Sequence, residues 1–439
     1  MEQHAKGIPG RYVVGVFFAV VIVISVGLWI ALQDAKRRYQ EANEAADASL
    51  TAHAVQPGWY RMSFDTGDEG PLSFFVQLPA GDGTALVKNG EELMEVPFRV
   101  TPNGGVIDFR HLDCRVELTV LTEGDLSGTY YKTYTGGVQQ MMPVTAAPVD
   151  APNAAERFDR FFGSDASAPA DFSGRWRMDF EVDDTAIGIF AQAEGGVVTG
   201  TIITPTGDYR YLAGNVEGNE MRLSVFDGGH AFLFTGRMDA SGDSFHGVFR
   251  SGQSFRDEFT AHRDDVYELP NPFDEVSLKP GVTRLSLPQL NAAPYAGAPT
   301  IVTAFGTWCP NCNDLAPELV RLYEQYHGEG LEILSLAYER TEDLERSLQQ
   351  IEIYKNRYGV TWSVVPAGMS DKTKTAATLP DLTAFRSYPT TIFINRDGTV
   401  RAIHSGFAGP ATGELHERTL EDFHRLIGEI LASPPAAGS

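Results

Sequence analysis

The sequence predicts a multidomain chain: an N-terminal transmembrane helix, a duplicated all-β region, and a C-terminal α/β domain with a mixed sheet. Three observations carry this. Val13 to Leu32 contains no charged residue. Between about Gln56 and Asp264, short alternating apolar runs are punctuated by turn pairs such as Asn89-Gly90, Gly207-Asp208 and Asp227-Gly228. From Thr300 onward the pattern becomes strand, helix, strand, helix. A length of 439 residues allows roughly two to four domains.

The first element is the span. Twenty residues rising about 1.5 Å each cover about 30 Å, the thickness of a bilayer's hydrocarbon core. Tyr12 and Trp29 suit the two interfaces. The run is longer than a signal peptide's apolar core, and the small residues Ala46, Ala48 and Ala52 come too late to mark cleavage. A buried soluble helix would show a polar face, and this run has none. The expected order is a tail at 1–11, an anchor at 12–32 and a polar stalk at 33–54. Lys6 and Arg11 precede the span, whereas Lys36, Arg37 and Arg38 follow it, so the positive-inside rule does not support an N-in orientation.

The β region reads as two units, 55–148 and 170–266. Trp59 to Asp65 (WYRMSFD) resembles Arg175 to Glu181 (RWRMDFE), and Asp125 to Tyr130 resembles Ser244 to Phe249. The order is kept at offsets of 116 and 119 residues, as a duplication would leave it. Regular turn spacing argues for meander-like all-β structure. Val144 to Ala170, rich in Ala, Pro and Asp, reads as a linker. Cys114 falls in a strand-like run and reads as a small packing residue.

Leu269-Pro270-Asn271-Pro272 forms a second linker, because two prolines block both helix continuation and strand pairing. The parts on either side should therefore be separable. The last domain, 275–435, opens with a strand at Thr300 to Phe305. Leu315, Leu319, Leu322, Tyr323 and Tyr326 then recur at helical spacing. Leu331 to Tyr338 is a buried strand, and Thr341 is expected to cap a helix whose apolar face is Leu344, Leu348, Ile351 and Tyr358. Thr391 to Asn395 and Val400 to His404 pair through Asp397-Gly398, and a final helix carries Leu420, Phe423, Leu426, Ile427 and Ile430.

Composition bounds the function. The chain has 35 Lys plus Arg against 58 Asp plus Glu, a net charge of −23, so no nucleic acid partner is expected. Three cysteines do not make a disulfide-stapled scaffold. Two of them stand in Trp308-Cys309-Pro310-Asn311-Cys312, where a strand gives way to a helix. That spacing puts both sulfurs in the first helical turn. The first sulfur faces unpaired backbone N–H groups and the positive dipole end, which favour a thiolate, the nucleophile of disulfide exchange. The second sits deeper and would resolve a mixed disulfide. Haem attachment needs His after the second Cys, and Asn313 stands there. Structural zinc needs two further ligands with paired spacing, and the sequence shows none. A fixed structural disulfide is the plain alternative, although so short a loop constrains the unfolded chain little. No metal and no cofactor is expected.

Gly306-Thr307-Trp308-Cys309-Pro310-Asn311-Cys312, Pro317 and Ser387-Tyr388-Pro389-Thr390-Thr391, in this order, make residues from about Val276 to Leu431 similar to the TlpA/ResA branch of the thioredoxin superfamily. That family comprises membrane-tethered or exported bacterial proteins that exchange disulfides outside the cytoplasm. The resemblance implies a thioredoxin-like fold and a redox-active Cys309–Cys312 pair, with Cys309 attacking and Cys312 resolving. It implies a cis Tyr388–Pro389 bond beside the sulfurs, where Trp308, Tyr388 and Pro389 would meet the substrate. It implies protein disulfide or dithiol substrates and a thiol electron donor. It also implies an N-in anchor in the bacterial cytoplasmic membrane, with the C-terminal domains periplasmic. Many thioredoxins have a buried acid where this chain has Thr303. Glu339 aligns with the acid of reductive members and could take the proton of Cys312; the competing reading is a surface Glu paired with Arg340. Two other functions stand beside this one. A peroxiredoxin-like peroxidase would need Thr/Ser-x-x-Cys, and Thr307-Trp308-Cys309 is not that pattern. A β-domain binding or assembly module with an accessory redox domain would bind its partner without the cysteines.

Overall fold

A computed structural model describes residues 33, 36, 37, 55–121, 124–150 and 170–435. The expected anchor at 12–32 lies outside the described residues, as do nearly all of the stalk and most of the first linker. Among the described residues no helix is long and apolar enough to cross a membrane.

Eight antiparallel strands form the first body: β1 (Gly58–Asp65), β2 (Pro71–Leu78), β3 (Gly83–Asn89), β4 (Glu92–Thr101), β5 (Gly104–Phe109), β6 (Cys114–Val120), β7 (Leu126–Thr133) and β8 (Gln139–Val149). Each pairs with the next, and β8 returns to β1, which closes a barrel. Strict alternation drives this. In β1, Tyr60, Met62 and Phe64 are buried while Arg61, Ser63 and Asp65 face outward or lie at the boundary. The interior is filled by apolar side chains.

A second barrel follows: β9 (Gly174–Phe180), β10 (Ala186–Gln192), β11 (Val197–Thr204), the two-residue β12 (Gly207–Asp208), β13 (Leu212–Glu217), β14 (Glu220–Phe226), β15 (Ala231–Met238), β16 (Ser244–Ser251) and β17 (Phe255–Arg263). Pairing of β17 with β9 and of β10 with β11 closes eight of these strands, with β12 appended to β11. The two repeated sequence segments occupy the first and seventh strand of each barrel. Their equivalent aromatics make the same bond: Tyr60 Oη donates to the Gln56 carbonyl, and Trp176 Nε1 to the Phe172 carbonyl, four residues back in each case.

The barrels share a core. Phe226, Ala231 and Leu233 from the β14–β15 hairpin pack within the first barrel's apolar cluster. The Phe226 ring lies 4.8 Å from Phe64 and 4.6 Å from Phe74. Asn89 holds it there, donating to the Phe226 carbonyl at 2.8 Å and accepting its N–H at 3.0 Å.

The C-terminal part is a five-stranded mixed sheet in the order β20-β19-β18-β21-β22. Its elements are β18 (Thr300–Phe305), α1 (Pro310–Tyr326), β19 (Glu332–Glu339), α2 (Leu344–Tyr358), β20 (Ser363–Met369), α3 (Lys372–Thr378), β21 (Thr390–Ile394), β22 (Val400–Ser405) and α4 (Glu414–Leu431). Alternate residues of the central strands feed two cores. Ile301, Ile333 and Phe393 join Leu315, Leu319, Phe423 and Ile427 on one face. Val302, Leu334 and Ile392 meet Leu285, Leu287 and Phe385 on the other.

Three sequence expectations need correction. Strand β20 and helix α3 were not expected; β20 is a half-exposed edge strand carrying Pro366 and Gly368, so it lacks the apolar run that marks a central strand. Helix α2 is capped by Asp343, not Thr341, because its carboxylate stands directly before Leu344 and accepts the Arg346 N–H at 3.1 Å. Leu344 and Leu348 are 59% and 45% exposed, so the buried face of α2 is carried by Ile351 and Tyr354. Barrels and sheet form one compact unit, Ala54–Ser439.

Candidate functional site

The chain leaves β18 and enters α1 through Gly306, Thr307 and Trp308. Cys309 is the N-cap, with extended backbone, and its Sγ accepts the Cys312 N–H at 3.4 Å. Sulfur thus fills the role that an oxygen usually has at a helix start, so an unpaired donor and the helix dipole both act on it. Pro310 suits the first helical position because it has no N–H to leave unsatisfied. The amide of Asn313 donates to the carbonyls of Thr307 at 2.8 Å and Cys309 at 2.7 Å, which pins the turn. The Cys309 thiol donates to the Tyr388 carbonyl at 3.5 Å, and the Tyr388–Pro389 peptide is cis.

Both thiols are free and buried. Cys312 is 2% exposed, and burial, then the neighbouring Cys309 sulfur, push its thiol well up from the ordinary range. Cys309 is only 7% exposed. The barrels pack beside it. A Cβ at Gly229 would stand 2.9 Å from the Pro310 ring, and one at Gly207 would collide with the Asn311 amide, so barrel backbone lies directly on the dipeptide between the cysteines. Arg210 of the second barrel reaches Asp314 of α1 at 2.5 Å and Glu92 of the first barrel at 2.5 Å. The proline-rich linker separates chain segments but not packing surfaces, since the barrels pack against the start of α1.

Glu339 is 3% exposed at the end of β19. It accepts the Thr307 N–H at 3.2 Å and the Thr307 hydroxyl at 2.8 Å. Burial pushes its carboxyl up to about 7, against the pull of those bonds. Its charge also bears on Cys312, raising that thiol. The surface pairing with Arg340 is not formed. Instead the Arg340 guanidinium lies 3.6 Å over the Trp308 ring, while Trp308 Nε1 donates to the Tyr338 carbonyl at 2.8 Å. Trp308 meets Tyr388 edge-on at 5.5 Å. Trp308, Cys309, Cys312, Glu339, Tyr388 and Pro389 are thus brought together. Cys114 sits in the first barrel's core, donating to the Leu112 carbonyl at 3.1 Å; burial pushes its thiol up to about 12. Among the described residues no group of His, Cys, Asp and Glu is placed to hold a metal ion.

Sequence reasoning missed Arg340, Thr135 and Arg210 as parts of this site. Thr135 and Arg340 are 205 positions apart, and no local pattern links them.

The AhpC/TSA family profile matches residues 275–403. Among curated proteins, the chain is similar to the thiol-disulfide oxidoreductase ResA of Halalkalibacterium halodurans, 29% identical over 131 residues, covering 30% of this chain and 63% of that protein. It is also similar to the ResA of Geobacillus kaustophilus, 29% identical over 127 residues, covering 29% of this chain and 64% of the relative. The match therefore spans somewhat under two thirds of these relatives' length. Among solved structures, a thioredoxin-family thiol:disulfide interchange protein from Chlorobium tepidum aligns at 20% identity and a TM-score of 0.24, covering 38% of this chain and all of that one. The C-terminal region of this chain is accordingly an AhpC/TSA-type, thioredoxin-like domain with ResA thiol-disulfide oxidoreductases among its relatives.

Proposed function

We propose that this chain is a membrane-anchored thiol-disulfide oxidoreductase that reduces disulfides of extracytoplasmic proteins through Cys309 and Cys312. The observation that carries the reading is the Cys309 sulfur at a helix start, accepting the Cys312 N–H beside the cis Tyr388–Pro389 peptide. The similarity to proteins named thiol-disulfide oxidoreductase ResA supports it. In the proposed cycle, the Cys309 thiolate attacks one sulfur of the substrate disulfide and expels the other as a thiolate. Cys312 then gives up its proton, with Glu339 as the acceptor, and attacks the Cys309 sulfur. The second substrate thiolate leaves, and Cys309–Cys312 becomes the disulfide. An external dithiol donor returns it to the reduced state. Extended substrate backbone would lie along Tyr388 and Pro389, with Trp308 beside it. No cofactor takes part.

The anchor at 12–32 and the periplasmic placement in a bacterial cytoplasmic membrane rest on the uncharged run from Val13 to Leu32 and on the resemblance. The test is a Cys312→Ser variant expressed in the native host. It should hold a partner in a mixed disulfide at Cys309, released by reductant. Recovery of no thiol-releasable adduct would sink the reading. Protease added from the non-cytoplasmic side should cut the chain beyond about residue 40; protection there would overturn the orientation.

A further inference from the structure

A disulfide exchanges with Cys309 only if one of its sulfurs can reach the Cys309 sulfur. Cys309, Pro310 and Pro389 are all buried in the closed fold. An extended segment lying beside another strand needs about 4.8 Å of lateral room. The second barrel presses on both loops that flank the sulfur. A Cβ added at Gly207, in β12, would collide with the Asn311 side chain, and one added at Gly406 would collide with the Thr206 backbone. Gly406 donates its N–H to the Pro389 carbonyl at 2.8 Å, so Thr206 sits against the loop that carries the cis peptide. Gly229, between β14 and β15, lies on the Pro310 ring. Neither Gly207 nor Gly229 has a positive φ. Their missing side chains therefore serve close approach, not a turn.

What holds the barrels there is polar. Arg210 pairs with Asp314 of α1 at 2.5 Å, and the Gly409 N–H donates to the Asp208 carboxylate at 2.7 Å. On the far side, the β7–β8 turn of the first barrel clamps Arg340: Arg340 Nη1 donates to the Thr135 hydroxyl at 3.2 Å, and the Gly136 N–H to the Arg340 carbonyl at 2.7 Å. The two barrels share an apolar cluster through Phe226. Among the described residues, neither apolar cluster of the thioredoxin-like domain includes a barrel side chain. A cleft of about 790 Å³ opens between the second barrel, the Leu269–Phe273 linker, β22 and the start of α4, with Ile187, Ile203, Phe273 and Phe407 on its walls. Units that meet through polar contacts and an unfilled cleft are free to part, whereas units with a common apolar core are not.

We propose that the second barrel is an autoinhibitory cover: Thr206, Gly207 and Gly229 occupy the surface on which a protein disulfide would dock, and the Arg210–Asp314 pair latches them there. The closed form excludes bulky partners from Cys309, and parting of the barrel pair from the thioredoxin-like domain admits them. The inference rests on the reading of protein disulfides as substrates, but its first readout needs none. Two reagents of the same chemistry are compared on the full-length reduced chain: N-ethylmaleimide, and a maleimide carried on a long polyethylene glycol. Loss of the unmodified Cys309 peptide is followed by mass, and insulin reduction with a thiol donor is measured beside it.

On the parent chain the large reagent should lag far behind the small one. Gly207→Leu drives a wedge between β12 and Asn311. It should raise the large reagent's rate by about tenfold, and insulin reduction with it, while the small reagent gains no more than about twofold. Asp314→Asn removes the latch without adding bulk and should act in the same direction by less. It covers the case in which Gly207→Leu does not fold, because Arg210 keeps its pair with Glu92. Equal rates of the two reagents on the parent, or an unchanged large-reagent rate in Asp314→Asn and in a folded Gly207→Leu, would overturn the proposal. Gains shared equally by both reagents would overturn it too, since they report loosening around the sulfur and not removal of a cover. If the large reagent gains but neither parent nor variants reduce any protein disulfide, the function proposed above fails while the cover stands.

Discussion

Cys114 in the first barrel and Cys309 at the start of α1 are almost equally buried, 5% and 7% exposed, yet their surroundings suit opposite tasks. The Cys114 thiol donates to a carbonyl inside an apolar barrel, and it also receives the Tyr130 hydroxyl at 3.7 Å. Desolvation dominates there and keeps the proton on sulfur. Cys309 stands in no less dry a place, but a helix N-terminus points at it and its sulfur accepts a backbone N–H. Exposure therefore does not tell the two thiols apart. The direction of the nearest backbone dipoles does.

The sharpest test of this comparison is removal of each sulfur. Cys309→Ser should cut disulfide reduction by about a thousandfold or more, to the uncatalysed background, while Cys114→Ala should leave the turnover rate unchanged. An insulin reduction assay with a thiol donor measures both. Equal losses from the two substitutions would break the comparison.

The next effect concerns the barrel that houses Cys114. Phe226 belongs to the second barrel but fills the first. Phe226→Ala should destabilise the β region by about 3–5 kcal/mol, read from denaturant midpoints. Because the ring is shared, the two barrels should unfold in one transition; two separate transitions in the parent chain would contradict the shared core.

A smaller effect is expected where the second barrel meets the loop beside Cys309. Gly406 has φ of +83°, its N–H donates to the Pro389 carbonyl at 2.8 Å, and an added Cβ would strike the Thr206 backbone. Gly406→Ala should cost about 1–3 kcal/mol and increase the alkylation rate of Cys309 by loosening the barrel contact. A variant with unaltered melting temperature would show that this contact is soft.

The last effect is one of pH. The Glu339 carboxyl is raised from 4.5 in the unfolded chain to about 7 in the fold, so the folded state holds the extra proton between those values. Its contribution therefore worsens as pH rises through that window, by on the order of 1 kcal/mol per pH unit. Glu339→Gln should remove this slope from the melting temperature between pH 4.5 and 7. It should also slow resolution of a mixed disulfide. An unaltered slope would mean that Glu339 does not carry the proton.

Much of the molecule was legible in the chain because the informative patterns are local. Twofold alternation marked the β region, and the segments around Tyr60 and Trp176 proved to be matching first strands. Helical spacing after Cys312 and the turn at Asp397-Gly398 placed α1 and the β21–β22 hairpin. The spacing of Cys309 and Cys312 at a strand-to-helix junction marked the dithiol, since a helix start carries its dipole and its unpaired N–H groups wherever it occurs. Strand β20 escaped because an edge strand broken by Pro366 and Gly368 has little pattern to read. Closure of the barrels, the seating of Phe226, the cover that Gly207 and Gly229 place over Pro310 and Asn311, and the clamp of Thr135 on Arg340 were decided by tertiary structure alone. Each joins residues on separate strands or turns far apart in the chain, and such meetings depend on how whole barrels pack, which no short window of residues encodes.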